Sequence, residues 1–316
     1  MESITKKFTI VLSLLISFTG VTPANAAVER GLGPTGLLEA RKDGFDATGF
    51  EFAVVSPYGF NFASSAVRRA VKSEACFAGS EDWQEKCNNG STEHLGSGSS
   101  KDSDNTYSTA DSLIYSLAGS SKTIAPKSKA HAIWASAIEE TFPDAVLHAM
   151  SKNVSVVFFT NVSGNAKRGM ETNCDAAFPE ATKIANQAKD LGIALISEPG
   201  SSGDAFGLAF PACLSSVSAV GHLDMEGQIA QSTNVAPGLV LGHTAYETIA
   251  ASLDSGQTWL ADYDSAEKSL AVAGGIFGAL VNRGYSADND VLAHRLVKIV
   301  NACADDPLGI WILLDC

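Results

Sequence analysis

The chain has 316 residues, with 35 acidic and 22 basic side chains, so its formal net charge is −13 at neutral pH. A field of that sign repels nucleic acid and anionic membranes, which argues against both as partners. A length of this order fits one large domain or two small ones and is sufficient to bury a self-supporting core.

The first 26 residues have the pattern of a secretory signal peptide. Lys6 and Lys7 form a basic start, a short apolar run covers Phe8 to Phe18, and Ala24-Asn25-Ala26 forms an A-x-A cleavage site. The apolar run is shorter than the roughly 20 residues that a transmembrane helix needs. We therefore expect cleavage, an uncleaved anchor being the alternative, and a mature domain of residues 27–316 that is secreted to an extracellular or periplasmic space.

All six cysteines lie in the expected mature chain. An even number in an exported protein indicates three disulfides, although sequence alone leaves their pairing open. Metal binding is the competing interpretation, but there is no C-x-x-C motif and no Cys/His cluster at ligand spacing. The nearest-neighbour set would join Cys76 to Cys87, Cys174 to Cys213, and Cys303 to Cys316.

Short β-branched runs alternate with helical stretches, which predicts an α/β fold with a mostly parallel sheet and helices on both faces. The strongest strand candidates are nearly continuous apolar runs, as expected for strands covered on both faces: Phe52–Val55, Val154–Phe159, Ile193–Ile196 and Val217–Val220. Helices are expected over residues 179–191, 265–281 and 288–302. The polar stretch from Ala78 to Asn105 is expected to be a long surface loop that a Cys76–Cys87 disulfide would restrain.

Several segments, in chain order, resemble the motifs of subtilisin-like serine proteases. Phe52-Ala-Val-Val-Ser-Pro-Tyr-Gly59 is similar to the strand V-A-V-I-D-T-G, and Thr106-Tyr-Ser-Thr-Ala110 is similar to G-H-G-T-H. Gly192-Ile-Ala-Leu-Ile-Ser-Glu-Pro-Gly-Ser201 resembles G-V-V-V-V-A-A-A-G-N. Asp264-Ser-Ala-Glu-Lys-Ser-Leu-Ala-Val-Ala-Gly274 resembles G-T-S-M-A-x-P-H-V-A-G. The resemblance implies a subtilisin-like fold for residues 27–316.

The catalytic residue is replaced in each matched segment. The resemblance places Ser56 at the catalytic Asp, Tyr107 at the His, Ala266 at the nucleophilic Ser, and Ser201 at the oxyanion Asn. Ala266 has no heteroatom with which to attack a carbonyl, and a tyrosine with a pKa near 10 is a poor general base at neutral pH. Ordinary subtilase activity is therefore not expected.

These substitutions favour a catalytically inactive homologue, a pseudoprotease, that binds peptide or protein through the former cleft. Tyr107 would then serve as an aromatic anchor. One alternative is an active serine endopeptidase or hydrolase whose catalytic groups are displaced or misaligned, with Ser265 and Ser269 as the nearest serines. Another is a chain that retains the fold alone. Residues 228–259 match the family poorly, which leaves that wall of the cleft undecided.

None of the six histidines lies in a G-H-G-T-H context. His94 falls in the polar loop, and His222 and His243 are the best remaining candidates for a site. The other three fall in predicted helices, where a structural role is the expectation: His131, His148 and His294.

Three acidic residues near the Tyr107 segment raise the question of a metal ion. Asp102, Asp104 and Asp111 do not have the spacing of an EF-hand loop. We therefore expect a solvated acidic loop and no cofactor, with a structural calcium ion as an alternative that no motif supports.

Overall fold

The computed structural model describes part of the chain. The described residues are 46–80, 85–101, 109–119, 123, 125–160, 162, 173–204, 207–222, 230–236, 240–242, 248–251, 258–261 and 311–313. The expected signal peptide and the helices expected over 265–281 and 288–302 lie outside them.

The described residues contain eleven strands and four helices. The strands are β1 (Glu51–Ser56), β2 (Val71–Phe77), β3 (Glu93–Leu95), β4 (Lys129–Ala135), β5 (Val156–Phe159), β6 (Ala194–Ser197), β7 (Ser218–His222), β8 (Val240–Gly242), β9 (Thr248–Ala251), β10 (Thr258–Ala261) and β11 (Trp311–Leu313). The helices are α1 (Ser65–Ala70), α2 (Thr109–Ala118), α3 (Ile138–Ser151) and α4 (Pro179–Asp190). None of these helices has both the length and the hydropathy that a bilayer span requires.

Nine of the strands form one sheet in the order β11-β8-β7-β6-β5-β1-β4-β2-β3. Every neighbouring pair is parallel except β2 and β3, which are antiparallel. Strands β9 and β10 form a separate antiparallel pair. The prediction of an α/β fold with a mostly parallel sheet is confirmed, and the four strands predicted from apolar runs correspond to β1, β5, β6 and β7.

Crossover connections run toward both edges of the sheet around β1, and their helices cover its two faces. The crossover through α1 leads to β2 on one side of β1, whereas the crossover from β4 to β5 through α3 passes to the other side. Because such crossovers are right-handed, helices that lead in opposite directions lie on opposite faces. Strand β1 is accordingly buried along nearly its whole length.

The core beneath α3 and α4 is built from aromatic and small side chains. Phe142 of α3 packs against Phe159 of β5 at 5.1 Å and against Phe210 at 5.3 Å between ring centroids. Helix α4 begins with Pro179, whose fixed φ suits a first turn. Its buried stripe is the one expected from the sequence: Ala181, Ile184, Ala185 and Ala188.

Two of the expected disulfides are present. Cys76 is bonded to Cys87 and Cys174 to Cys213, whereas Cys303 and Cys316 lie outside the described residues. The first bond joins β2 to the polar stretch that follows it. That stretch was predicted to be a loop, but it contains β3, which returns antiparallel along Ala75–Phe77. Disulfides of this kind are typical of proteins exported from the reducing cytosol.

Two further predictions were wrong. His131 lies in strand β4 and not in a helix, since β4 is held between β1 and β2 by parallel pairing. Asp111 is not part of a solvated loop: it is fully buried in the first turn of α2, and its Oδ2 accepts hydrogen bonds from the backbone N–H groups of Asn61 and Phe62 at 2.9 and 3.3 Å.

His148 makes stability depend on pH. It lies on α3 with its ring 5.6 Å from that of Phe77, and its Nε2 is buried with no hydrogen-bond partner among the described residues. Burial, helped by the positive charge of Lys152 and by His131, lowers the pKa of His148 from 6.5 to about 4. The unfolded chain therefore binds this proton more tightly than the folded chain.

We expect the free energy of unfolding to fall as the pH drops from about 6.5 to about 4, by on the order of 2 kcal/mol from this residue. In His148→Phe, which keeps a ring against Phe77, the free energy of unfolding should fall less over this pH range. The fall that remains should come from other titrating groups, including His131. Urea denaturation across this pH range measures the effect. An unchanged pH profile in the variant would contradict the assignment.

Candidate functional site

The strand order reverses direction at β1, and in open α/β sheets a crevice forms at the carboxyl ends of the strands at such a point. Ligands of open α/β sheets bind at such a switch point. The chain leaves β1 after Ser56, β5 after Phe159 and β6 after Ser197. The loops that follow these three strands therefore form the candidate site.

Ser56 ends β1 and is fully buried. Its Oγ accepts a hydrogen bond from the backbone N–H of Tyr58 at 3.2 Å, so the hydroxyl stabilises the turn that leaves the strand. The indole Nε1 of Trp134, on neighbouring β4, donates to the carbonyl of Pro57 at 3.1 Å. The turn directs Tyr58 outward, where 49% of its surface is exposed. An uncharged, inward-facing hydroxyl and an exposed aromatic ring thus occupy the end of β1.

A buried carboxylate joins the ends of β5 and β6. Glu198 is 6% exposed, and its side chain accepts hydrogen bonds from Thr160 Oγ1 at 2.5 Å and from the backbone N–H of Val162 at 3.2 Å. Burying a carboxylate is costly unless hydrogen bonds replace its hydration. The bonds to Glu198 therefore hold Thr160 and Val162, just after β5, in one position relative to β6.

The loop that carries Ser201 is held by Asn234, a residue that the motif comparison did not single out. Asn234 is fully buried, and its Oδ1 accepts from the backbone N–H groups of Ser202 and Asp204, both at 3.0 Å, and from Ser202 Oγ at 2.9 Å. Its own backbone N–H donates to the carbonyl of Gly200 at 3.1 Å. Ser201 itself is exposed at the tip of this loop.

Gly200 is required by this arrangement. Its φ is +104°, a conformation that favours glycine, and a Cβ there would collide with Asn234 Nδ2. The sequence signal for Asn234 was weak, because it lies in the poorly matched stretch 228–259. The available indication was its place just before Val235-Ala-Pro-Gly238, a segment that matches the motif A-A-P-G only in a displaced register.

The structure places two of the four expected site residues and brings them to the same edge of the sheet. Ser56 ends β1 and Ser201 follows β6. Strand β5 lies between β1 and β6, so these two strands are roughly 10 Å apart. Tyr107 and Ala266 lie outside the described residues, as do His243 and His294. His222 is the last residue of β7, two strands further from β1 than β5. Within the described part of the chain, no cluster of His, Cys, Asp and Glu is placed to hold a metal ion.

Comparison with solved structures agrees with this geometry. No protein-family model matches the sequence, and no curated protein matches it significantly. The nisin leader peptidase NisP from Lactococcus lactis has a TM-score of 0.65 with 12% identity, over 92% of this chain and 92% of its own. A protease from Pseudoalteromonas arctica has a TM-score of 0.66 with 11% identity, over 92% of this chain and 96% of its own. This chain has a subtilisin-like fold.

A third similar structure is the PatG macrocyclase in complex with peptide, with a TM-score of 0.62 and 13% identity over 88% of this chain and 92% of its own. These neighbours are subtilisin-like proteases. Identities this low establish the subtilisin-like fold and do not extend to activity, because one fold hosts many functions. Evidence for the function therefore comes from the residues of the cleft.

Asn234 should be important for the stability of the Ser201 loop. In Asn234→Ala, the N–H groups of Ser202 and Asp204 lose their acceptor, and we expect the free energy of unfolding to fall by about 1–2 kcal/mol. Asn234→Asp keeps an acceptor oxygen in the same place and should cost less. Chemical denaturation of the two variants gives the comparison, and equal losses would show that these hydrogen bonds do not stabilise the loop.

Proposed function

We propose that this chain is an exported pseudoprotease with a subtilisin-like fold that binds peptide or protein segments in its cleft without cleaving them. The observation that carries the proposal is the end of β1, where the family resemblance expects a catalytic carboxylate. Ser56 lies there instead, buried and hydrogen-bonded to the Tyr58 N–H. A neutral hydroxyl cannot stabilise an imidazolium in the way that a carboxylate does.

The sequence supports the same conclusion at the other catalytic positions. Tyr107 and Ala266 occupy the segments that resemble the family's His and Ser motifs. Loss of the nucleophile alone lowers turnover about a millionfold in a subtilisin. With the three groups replaced together, the cleft would retain shape and hydrogen-bonding groups but not the chemistry of acyl transfer.

Binding is favoured by how rigidly the rim of the cleft is held. Glu198 binds Thr160 and Val162 just after β5, and Asn234 binds Ser202 and Asp204 after β6, so a ligand would not have to order these positions. Tyr58 offers an exposed ring next to Ser56, and tyrosine provides contact area at low entropic cost. The PatG macrocyclase, whose fold is similar, has been solved with a peptide.

Export is part of the proposal. The two disulfides and the signal-like pattern of residues 1–26 both point to an oxidising compartment. An exported binder of this kind could sequester peptides that an active protease would otherwise cleave.

We expect the disulfide-bonded mature chain to capture members of a random peptide library displayed on phage. Ser201→Trp should abolish capture by filling the cleft, and Tyr58→Ala should weaken the selected peptides about tenfold or more. Leu191→Trp is the matched control, because Leu191 is 66% exposed just before the amino end of β6, away from the cleft.

The same preparation should leave the captured peptides and a reduced, unfolded protein substrate intact, as judged by mass spectrometry. Cleavage that is lost in Ser201→Trp would show an active protease and contradict the proposal. Capture that persists unchanged in both cleft variants would place binding elsewhere on the molecule.

A further inference from the structure

A hydroxyl, an imidazole and a carboxylate form a continuous hydrogen-bonded array near the amino ends of three central strands, at the end of the sheet opposite the proposed peptide cleft. Ser73 Oγ lies 2.6 Å from His131 Nδ1, and His131 Nε2 lies 2.9 Å from Glu51 Oε2. The three residues belong to β2, β4 and β1. We propose that they form a second, serine-based acyl-transfer site, independent of the peptide cleft, that acts on small anionic esters.

The sheet itself places the three groups together. His131 is paired with Ala53 of β1 on one side and with Ser73 of β2 on the other. Glu51 lies two residues before Ala53 and therefore points to the same face, since strand side chains alternate with a period of two. Parallel pairing of three neighbouring strands thus sets the positions of nucleophile, base and carboxylate without a contribution from a long loop.

The hydrogen bonds determine which nitrogen of His131 carries the proton. Hydrogen bonds from Lys72 and His131 outweigh the effect of burial and lower the pKa of Glu51, so this side chain is an ionised acceptor at neutral pH. His131 Nε2 must then be the donor to Glu51. In a neutral imidazole this leaves the lone pair on Nδ1, which faces the Ser73 hydroxyl.

His131 is neutral under the same conditions. It is 2% exposed, and burial lowers its pKa, with the charges of Lys72 and Lys152 acting in the same direction and Glu51 acting against them. A neutral, oriented imidazole that accepts a hydrogen bond from a serine has the arrangement of a general base next to its nucleophile. Glu51 does not touch a substrate in this scheme and is a positioning residue.

Ser73 also lines a cavity that could admit a substrate. The cavity has a volume of about 580 Å³. Strand β3 pairs with Ala75–Phe77, so Ser73 lies beyond the end of the paired segment, next to a register shift between Val71 and Ser73. The serine is half-buried and therefore reachable from this edge of the sheet.

The cavity is positively charged although the chain as a whole is acidic. Arg68, Lys72 and Lys101 line it together with one acidic residue, Glu74. Lys72 is paired with Glu51 at 2.5 Å, so the excess of positive charge comes from Arg68 and Lys101. Since the net charge of the chain is −13, this local reversal favours an anionic ligand there. The substrate class that fits is a small carboxylic ester that carries a second, negatively charged group.

Ester hydrolysis by Ser73 and His131 needs no cofactor. Ser73 Oγ attacks the ester carbonyl carbon and its proton passes to His131 Nδ1, which gives a tetrahedral oxyanion. The carbon–oxygen bond to the alcohol then breaks, and the departing oxygen takes the proton from Nδ1. Water then attacks the carbonyl carbon of acyl-Ser73 and gives a proton to His131 Nδ1. The bond between that carbon and Ser73 Oγ breaks, and Oγ takes the proton back from Nδ1, so the products are a carboxylic acid and the free serine.

The test uses the disulfide-bonded mature chain and the mono-p-nitrophenyl ester of succinic acid, with p-nitrophenyl acetate as the neutral comparison. We expect release of nitrophenol and, by peptide mapping, a succinyl group on Ser73. Ser73→Ala should lower the rate on the order of a hundredfold or more. Ser215→Ala, which changes an exposed serine that does not line this cavity, should leave the rate unchanged.

Two further variants separate catalysis from structure. Glu51→Gln should lower kcat with little effect on KM, and Glu51→Asp should restore part of the activity. Lys101→Ala should raise KM for the succinate ester and leave the acetate unaffected. Circular dichroism and the thermal midpoint establish that each variant is folded.

Equal rates for Ser73→Ala and the parent chain would overturn the proposal, as would an acyl group found on other serines but not on Ser73. An absence of hydrolysis and acylation would show that the array is structural. Peptide capture by the cleft should survive Ser73→Ala, so the two proposals can fail separately.

Discussion

The position of β1 between β4 and β5 is the constraint on which both ends of the molecule depend. Parallel pairing on both sides sets which residue of β1 lies opposite which neighbour, and a slip of one residue would turn every side chain of the strand to the other face. Such a slip would remove Glu51 from the face of His131 and would rotate Ser56 out of its turn. The nearly complete burial of β1 prevents it, because Phe52 and Val54 cannot exchange places with Ala53 and Val55 without a large loss of packing.

The loops around this strand are held by buried polar side chains that bind backbone groups. Asp111 accepts from the N–H groups of Asn61 and Phe62, Glu198 from that of Val162, and Asn234 from those of Ser202 and Asp204. A backbone N–H group that moved away would lose this acceptor, so each side chain stabilises the position of the backbone that it binds. None of these contacts needs a catalytic triad. The backbone around the proposed cleft is therefore held in the same way whether or not the chain has a catalytic triad.

The sequence predicted the parts of the fold whose side chains repeat a simple pattern. Strands β1, β5 and β6 are continuous apolar runs because helices cover both of their faces, and α4 carries a regular buried stripe after Pro179. The two described disulfides join neighbouring cysteines and were predicted correctly.

Strands near the edge of the sheet were harder to predict. The sequence of β2, Val-Lys-Ser-Glu-Ala-Cys-Phe, is half polar, and β4 is rich in alanine, which favours helix by intrinsic propensity. Tertiary pairing overrides that preference and places His131 in a strand. Asn234 and the Ser73–His131–Glu51 array were missed for a related reason: their partners lie far away in the sequence, at separations of about 30 to 80 residues, and no local motif marks them.

The two candidate sites lie at opposite ends of one sheet and share only β1, and this separation explains how one sheet could carry both. Strand β1 has six residues, so its ends lie roughly 17 Å apart. At the carboxyl end the loops are long, and binding groups can be arranged there with little effect on strand pairing. At the amino end, side chains project directly from the strands, so their geometry is as fixed as the register itself. Precise hydrogen-bonded chemistry is therefore favoured at the amino end of this sheet, and adaptable recognition at its carboxyl end.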